Sequence, residues 1–193
     1  MGGIMSIILQ GSTSGSVTLQ EPAIAGTTVL SLPAVTGTIL TTTSPKAGNV
    51  IQVVSVSTTT TTALSTNATW TDVTNFTASI TPSASSSKIL VMISAQFELF
   101  KSGAEVTGAF KILRGSTDIF LESANSQGFE AATNGGRTYM DGRWNGIYLD
   151  SPATTSSTTY KLQFRLNNNG SLTVNSQNNN TQTGTVTLME IAA

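Results

Sequence analysis

The chain contains neither cysteine nor histidine. Thiolate or imidazole metal ligands, a Cys nucleophile, a disulfide framework and any His-based triad are therefore excluded from the outset. Chemistry would have to come from carboxylates, amines, hydroxyls and aromatic rings. Beyond the N-terminal stretch the carboxylates are Asp72, Glu98, Glu105, Asp118, Glu122, Glu130, Asp141, Asp150 and Glu190. A glycosidase needs two of them about 5–10 Å apart across a sugar, and no motif ties any two together. A calcium loop needs closely spaced acids, and Asp141-Gly142 and the Asn-rich turns are too sparse for one. Ser87-Lys88 matches half of a Ser/Lys dyad, but reads better as a solvated Lys opening a strand after a Ser-rich turn. Gly135-Gly136 is turn chemistry, with no phosphate-binding signature leading from strand to helix. The expectation is a non-enzyme with no cofactor and no metal.

One stretch could bind a ligand. Arg137, Tyr139, Arg143, Trp144 and Tyr148, with Asn145 among them, bring cations and aromatic rings together beside an Asn/Gln/Gly-rich loop at Ser123–Gly136. Such a set can stack on a sugar and hydrogen-bond it, which makes a host glycan a candidate partner. The alternative is that Trp144 and Tyr148 fill a core while the arginines are solvated or cross a subunit interface.

Composition bounds what must position these groups. Charged residues make up 10% of the 193 residues and the net charge is -1. No basic cluster offers an electrostatic footprint for nucleic acid or an anionic membrane. No apolar run approaches a membrane-spanning helix, so no membrane insertion is expected. The start, MGGIMSIILQG, lacks the basic flank of a signal peptide. A chain rich in Thr, Ser, Val and Ile and poor in helical periodicity predicts strands.

The strongest strand signal is Lys88–Phe100. Ile89, Val91, Ile93, Ala95, Phe97 and Leu99 form one unbroken apolar stripe, while the opposite side begins with Leu90 and Met92, turns polar and ends on Phe100. Further strands are predicted at Val50–Val56, Trp70–Ile80, Gly108–Arg114, Asp118–Glu122, Arg137–Leu149, Thr159–Leu166, Leu172–Val174 and Thr185–Ile191. They are separated by turn residues such as Gly115-Ser116, Asp150-Ser151-Pro152 and Asn167–Gly170. Their number and spacing predict an all-β antiparallel sandwich over residues 47–193, a jelly roll. The last strand is again apolar on both sides, with Val186 and Leu188 opposite Met189 and Ile191. Leu90, Met92, Phe100, Met189 and Ile191 are therefore the expected subunit interface.

Residues 1–46 have a different character. Glu21 is the only charged residue before Lys46, and Pro22-Ala23-Ile24-Ala25-Gly26-Thr27 recurs eleven residues later as Pro33-Ala34-Val35-Thr36-Gly37-Thr38. Pro followed by Gly favours short extended pieces joined by turns over helix. Such pieces cannot bury their apolar residues alone, so an extended arm ordered on a partner is expected. The docking residues would be Val17, Leu19, Pro22, Ile24, Val29, Leu30, Leu32, Pro33, Val35, Ile39 and Leu40.

The stretch Gly15–Thr43 resembles a segment of structural proteins of tailed bacteriophages, especially fibre-like proteins of marine and cyanobacterial phages. The matching residues are Val17-Thr18-Leu19, Pro22-Ala23, Gly26-Thr27, Leu30-Ser31-Leu32-Pro33-Ala34 and Gly37-Thr38-Ile39-Leu40. Lys88-Ile89-Leu90-Val91, Asp150-Ser151-Pro152, Thr159–Phe164 and Thr187–Ile191 resemble the knob that follows such segments. The resemblance implies a virion protein, a homotrimer held to other virion proteins, capsid or tail, by its N-terminal part and assembled in the host cytoplasm. A short fibre or decoration protein, a glycan-recognising fibre tip and a capsid cement protein all fit that resemblance.

Overall fold

The computed structural model describes residues 6–20, 24, 27, 29, 34, 45–65, 69–102, 107–121, 137–167, 170–177 and 180–193. In chain order the strands are β1 (Ser6–Gln10), β2 (Ser16–Gln20), β3 (Val50–Thr58), β4 (Thr62–Leu64), β5 (Thr71–Ile80), β6 (Lys88–Ser102) and β7 (Gly108–Arg114). They continue with β8 (Thr117–Leu121), β9 (Arg137–Asp150), β10 (Thr158–Leu166), β11 (Ser171–Val174), β12 (Ser176–Gln177), β13 (Asn180–Thr181) and β14 (Gly184–Ile191). Among the described residues there is no helix, and so none long and apolar enough to cross a membrane.

The chain divides into two units, Met1–Ile39 and Leu40–Ala193, a few residues before the boundary that composition suggests at 46/47. In the first unit β1 and β2 form an antiparallel hairpin, in which Ile7 stands opposite Leu19 and Leu9 opposite Val17. Gly15 takes φ +77 in the turn, a left-handed conformation that glycine adopts without steric cost. Sequence reasoning reads this stretch as extended arm and misses the hairpin. Of the expected docking residues, Val17, Ile24 and Val29 are exposed and Leu19 lies in β2. Pro22, Leu30, Leu32, Pro33, Val35, Ile39 and Leu40 lie outside the described residues, as does the predicted loop up to Gly136.

The second unit is an antiparallel sandwich. One sheet runs β5-β10-β7-β8 and the other β3-β14-β6-β9, with β11 and β4 continuing the second sheet beyond the end of β14. Taken in chain order, β3, β5, β6, β7, β8, β9, β10 and β14 are eight strands dealt between two four-stranded layers, the first and last lying side by side. That order is the jelly roll. β6 is long enough to serve two neighbours on one edge, β14 over Lys88–Ser94 and β11 over Phe97–Phe100, while β9 follows its other edge throughout.

Alternation then builds the core. The β6 stripe Ile89–Leu99 is buried, and it meets Phe110, Ile112, Tyr160, Leu162, Phe164 and Leu166 from the facing sheet. Each fully buried side chain of this size is worth about 1.5–3 kcal/mol relative to exposure. β5 shows why strict alternation fails locally. Val73 and Phe76 are both buried although three residues apart. Asn75 between them adopts φ 63, and the pairing with β10 shifts register there. The bulge restores the phase, and Asn tolerates the left-handed conformation better than most side chains.

Candidate interaction surface

The outer face of the larger sheet is set by register. Val53, Met189, Leu90 and Leu149 form one row across β3, β14, β6 and β9. The next row is Ser55, Thr187, Met92 and Ile147, and Ile191 lies beyond the first row opposite Val50. These positions make a contiguous apolar patch over four strands. Ile147 is 64% exposed, Val53 53% and Leu149 50%, while Leu90, Met92, Met189 and Ile191 are half-buried by one another. Further along β6 the rows turn polar, first Ser57, Thr185, Ser94 and Asn145, then Gln96 with Arg143 and Glu98 with Asp141. Arg143 donates from Nη1 to Ser94 Oγ at 3.0 Å.

Of the expected subunit-interface residues, Leu90, Met92, Met189 and Ile191 thus lie together. Phe100 does not join them. It lies ten residues along β6 from Leu90, about 33 Å away at strand rise, opposite Tyr139 and Ser171. Val50, Val53, Ile147 and Leu149 complete the patch. The sequence shows each of them as apolar, but only the register of β9 against β6 brings Ile147 and Leu149 onto this face.

Of the suggested glycan contacts with described side chains, Arg143 and Trp144 lie on opposite faces of the sheet. Alternation along β9 turns Arg143 outward and Trp144 inward. The indole is 3% exposed, stacks on Phe110 at 5.1 Å between ring centres and meets Phe120 edge-on at 6.2 Å. Tyr148 lies at the same margin against Phe120 at 6.3 Å. Trp144 is core, unavailable for stacking on a ligand. Its ring also covers Gly146, where a Cβ would collide with it, just as the Phe97 ring lies 2.5 Å from the place of a Cβ on Gly142. Glycine at these two sites makes room for the rings. Arg137 and Tyr139 take register positions opposite Ser102 and Phe100. Their side chains lie outside the described ones.

The outer face of the smaller sheet is mostly polar over β5 and β10, while β7 and β8 bring Leu113 and Leu121 to it. Lys161 donates to Asp72 at 2.8 Å and Gln163 to the other carboxylate oxygen at 2.6 Å. Burial alone would raise the Asp72 carboxyl, but these bonds and the neighbouring Lys161 and Lys111 charges hold it below its ordinary value. Lys111 pairs with Asp118 at 2.8 Å and lies over the Trp70 ring at 4.8 Å, with the Arg165 guanidinium 6.0 Å from the same ring. Trp70 reads in the sequence as the first residue of a strand. Nothing in local spacing foretells that two cations from β7 and β10 would flank it.

One end of the core is closed by two buried carboxylates flanking Ile89 in a single cross-strand row, Gln52, Glu190, Ile89 and Asp150. Glu190 accepts from the Ser83 backbone amide at 2.7 Å, Ser83 Oγ at 2.6 Å and Gln52 Nε2 at 2.5 Å. Burial pushes its carboxyl up, but the bonds from Ser83 and Gln52 outweigh burial and hold it below the ordinary 4.5. Asp150 accepts from Arg114 Nη1 at 2.7 and 2.8 Å and from the Tyr160 hydroxyl at 2.7 Å. Burial, then the Asp150 carboxylate, push the Tyr160 phenol well above its usual range. Asp150 joins β9 to β7 and β10 of the facing sheet, and Glu190 fastens the β5–β6 connection to the larger sheet. Among the described residues no three acidic side chains group as metal ligands do.

The strand order defines a jelly-roll module whose larger sheet carries an apolar patch on its outer face. No protein-family model matches the chain, and no curated protein matches it. Among solved structures it is similar to one of infectious bursal disease virus, Gx strain, with 16% identity and a TM-score of 0.35 over 98% of this chain and 47% of that one. It is also similar to the crystal structure of the VP2 subviral particle of infectious bursal disease virus, with 17% identity and a TM-score of 0.32 over 74% of this chain and 38% of that one. The chain thus spans less than half the length of either match. The jelly-roll assignment itself rests on the strand order.

Proposed function

We propose that this protein is a non-enzymatic structural component of a virion, a short trimeric fibre or decoration protein whose N-terminal residues attach it to the particle. The observation that carries the reading is the apolar patch spanning four strands on the outer face of the larger sheet, with Lys88 at its margin opposite Ile191. Exposed apolar surface of this continuity marks an interaction site in soluble proteins. Two of the carboxylates are bound into structure, Glu190 by Ser83 and Gln52 and Asp150 by Arg114 and Tyr160. Jelly rolls are the recurrent module of viral shells and of lectins, and the resemblance at Gly15–Thr43 favours the particle over the lectin. A glycan-binding tip is the weaker reading, because the indole that would stack on a sugar is in the core.

The test is the solution mass of the full chain beside residues 40–193. The expected result is a trimer for both, with the shorter chain no longer incorporated into particles. A single-chain mass for residues 40–193 overturns the patch as subunit seam, and retained incorporation overturns the docking role.

A further inference from the structure

β9 is an edge strand whose charges, Arg137, Asp141, Arg143 and Asp150, all lie outside Trp144–Leu149. It pairs with β6 over fourteen consecutive positions with no register shift, and among the described residues no strand pairs with its other edge. It has no proline and no bulge, and Trp144–Leu149 carries no charge. Natural sheets blunt such edges with lysines, prolines, bulges or short strands. Here the edge instead shows Ile147, Leu149 and the margin of Tyr148 to solvent. An extended chain that supplies backbone donors and acceptors and brings no charge fits the Trp144–Leu149 part of this edge.

The same molecule carries a second incomplete sheet. β1 and β2 are uncharged, pair only with one another among the described residues, and leave both outer edges open. Register puts Ile7 and Leu9 on the same face as Val17, with Thr18 and Ser16 opposite Ile8 and Gln10 on the other. Ile7, Leu9 and Val17 are exposed. An isolated two-stranded hairpin is marginal in water and needs a further strand or a packed face. Because Ile147 and Leu149 belong both to the β9 edge and to the apolar patch, whatever lies on that edge lies at the subunit seam.

We infer that the β1–β2 hairpin of a second copy adds to the free edge of β9, continuing the apolar outer face with Ile7, Leu9 and Val17. The inference rests on the proposal that the patch is a subunit seam. Handing a strand to the next copy is a head-to-tail contact, which closes into a ring when the rotation allows. Strand addition of this kind takes its affinity from main-chain hydrogen bonds and its specificity from alternate side chains.

Because the chain has no native cysteine, the test can use two full-length variants, Ser16→Cys and Asn145→Cys, mixed, re-equilibrated and treated with a short bismaleimide. The expected product is a two-chain species in the mixture and in neither variant alone, lost when Leu9→Asp and Val17→Asp are added. Linkage within one chain carrying both cysteines overturns the inference, because the chain then fills its own edge. Linkage of Ser16→Cys to itself overturns it, since the hairpins then cluster with each other. Absence of any linkage overturns it as well. Light scattering of the same samples separates the two ideas: a trimer without linkage keeps the seam and removes the exchanged hairpin, whereas a single-chain mass removes both.

Discussion

The two outer faces of the sandwich are made by the same alternation and differ in nearly everything else. On the smaller sheet the outward positions of β10 are Lys161, Gln163 and Arg165, held in a web with Asp72, Lys111, Asp118 and Trp70. On the larger sheet the outward positions at one end are Val53, Met189, Leu90, Leu149, Met92 and Ile147. The first face ties most of its polar groups together locally and exposes one large apolar side chain, Leu121, at its β8 edge. The second leaves Ile147, Val53 and Leu149 at least half exposed, a cost that a lone subunit has no reason to bear. In a protein with so few charges, where the charges are placed is the clearest sign of which face meets water.

The sharpest way to break this contrast is to give the larger sheet the chemistry of the smaller. Met92→Glu with Ile147→Lys puts an opposite-charge pair at one register position, so the subunit itself should keep its melting temperature within a few degrees. The assembly should fall to a single-chain mass by light scattering, since burying the pair in an apolar seam costs more in desolvation than its attraction returns. The control is Lys161→Ala on the other face, which should leave the mass unchanged. Equal effects from the two variants would erase the distinction between the faces.

Next in size is Trp144, which lies beneath the larger sheet rather than on it. Trp144→Ala removes an indole packed on Phe110 and Phe120 and should cost about 3–5 kcal/mol in denaturant unfolding. A surface ligand residue would cost almost nothing. Sequence alone leaves Trp144 open between core and glycan site, and the reason is physical. Local alternation tells which residues share a face of β9, but not which face is covered.

Much of the fold was legible for the same reason. The buried stripe of β6, the clean in-and-out pattern of β10 and the turns around Gly115 and Asp150 are period-two and turn signals that local sequence carries in full. Four of the five residues read as subunit interface do lie together, because β6 and β14 are neighbours and their outward residues had to go somewhere. Phe100 shares the face of Leu90 and Met92, but its distance along the strand separates it from them. The contribution of β9 to the patch and the flanking of Trp70 depend on register and on partners far along the chain. The β1–β2 hairpin escaped because its apolar run is too short to separate strand from arm. Glu190 escaped because a lone Glu in an apolar strand gives no hint that Ser83 and Gln52 will converge on it.

Glu190 gives an effect of intermediate size and ties the β5–β6 connection to pH. Its carboxyl is held below 4.5 in the folded chain. The bonds from Ser83 and Gln52 therefore add stability above the unfolded value, and that stability is lost as pH falls through the folded one. Glu190→Gln should cost about 1–3 kcal/mol at neutral pH, by leaving a buried donor poorly matched. The gap between variant and parent should narrow as pH drops below 4.5. Melting curves taken from neutral to acid pH read both quantities, and a gap that stays constant with pH would show that the carboxylate charge is not what holds Ser83.

The smallest expected effect belongs to the polar face. The Lys161–Asp72 pair is 2.8 Å long but exposed on the Asp72 side, and pairs of that kind are worth about 0.2–1 kcal/mol, less in salt. Lys161→Ala should lower the melting temperature only slightly, and added salt should reduce the difference between variant and parent. Gln163 still donates to Asp72 after the substitution, so the carboxylate keeps a partner and nothing buried is uncovered. A large loss would mean that the polar web is itself covered in the assembled protein. The smaller sheet would then be a contact surface too, and the contrast between the faces would have to be drawn from their partners rather than from water.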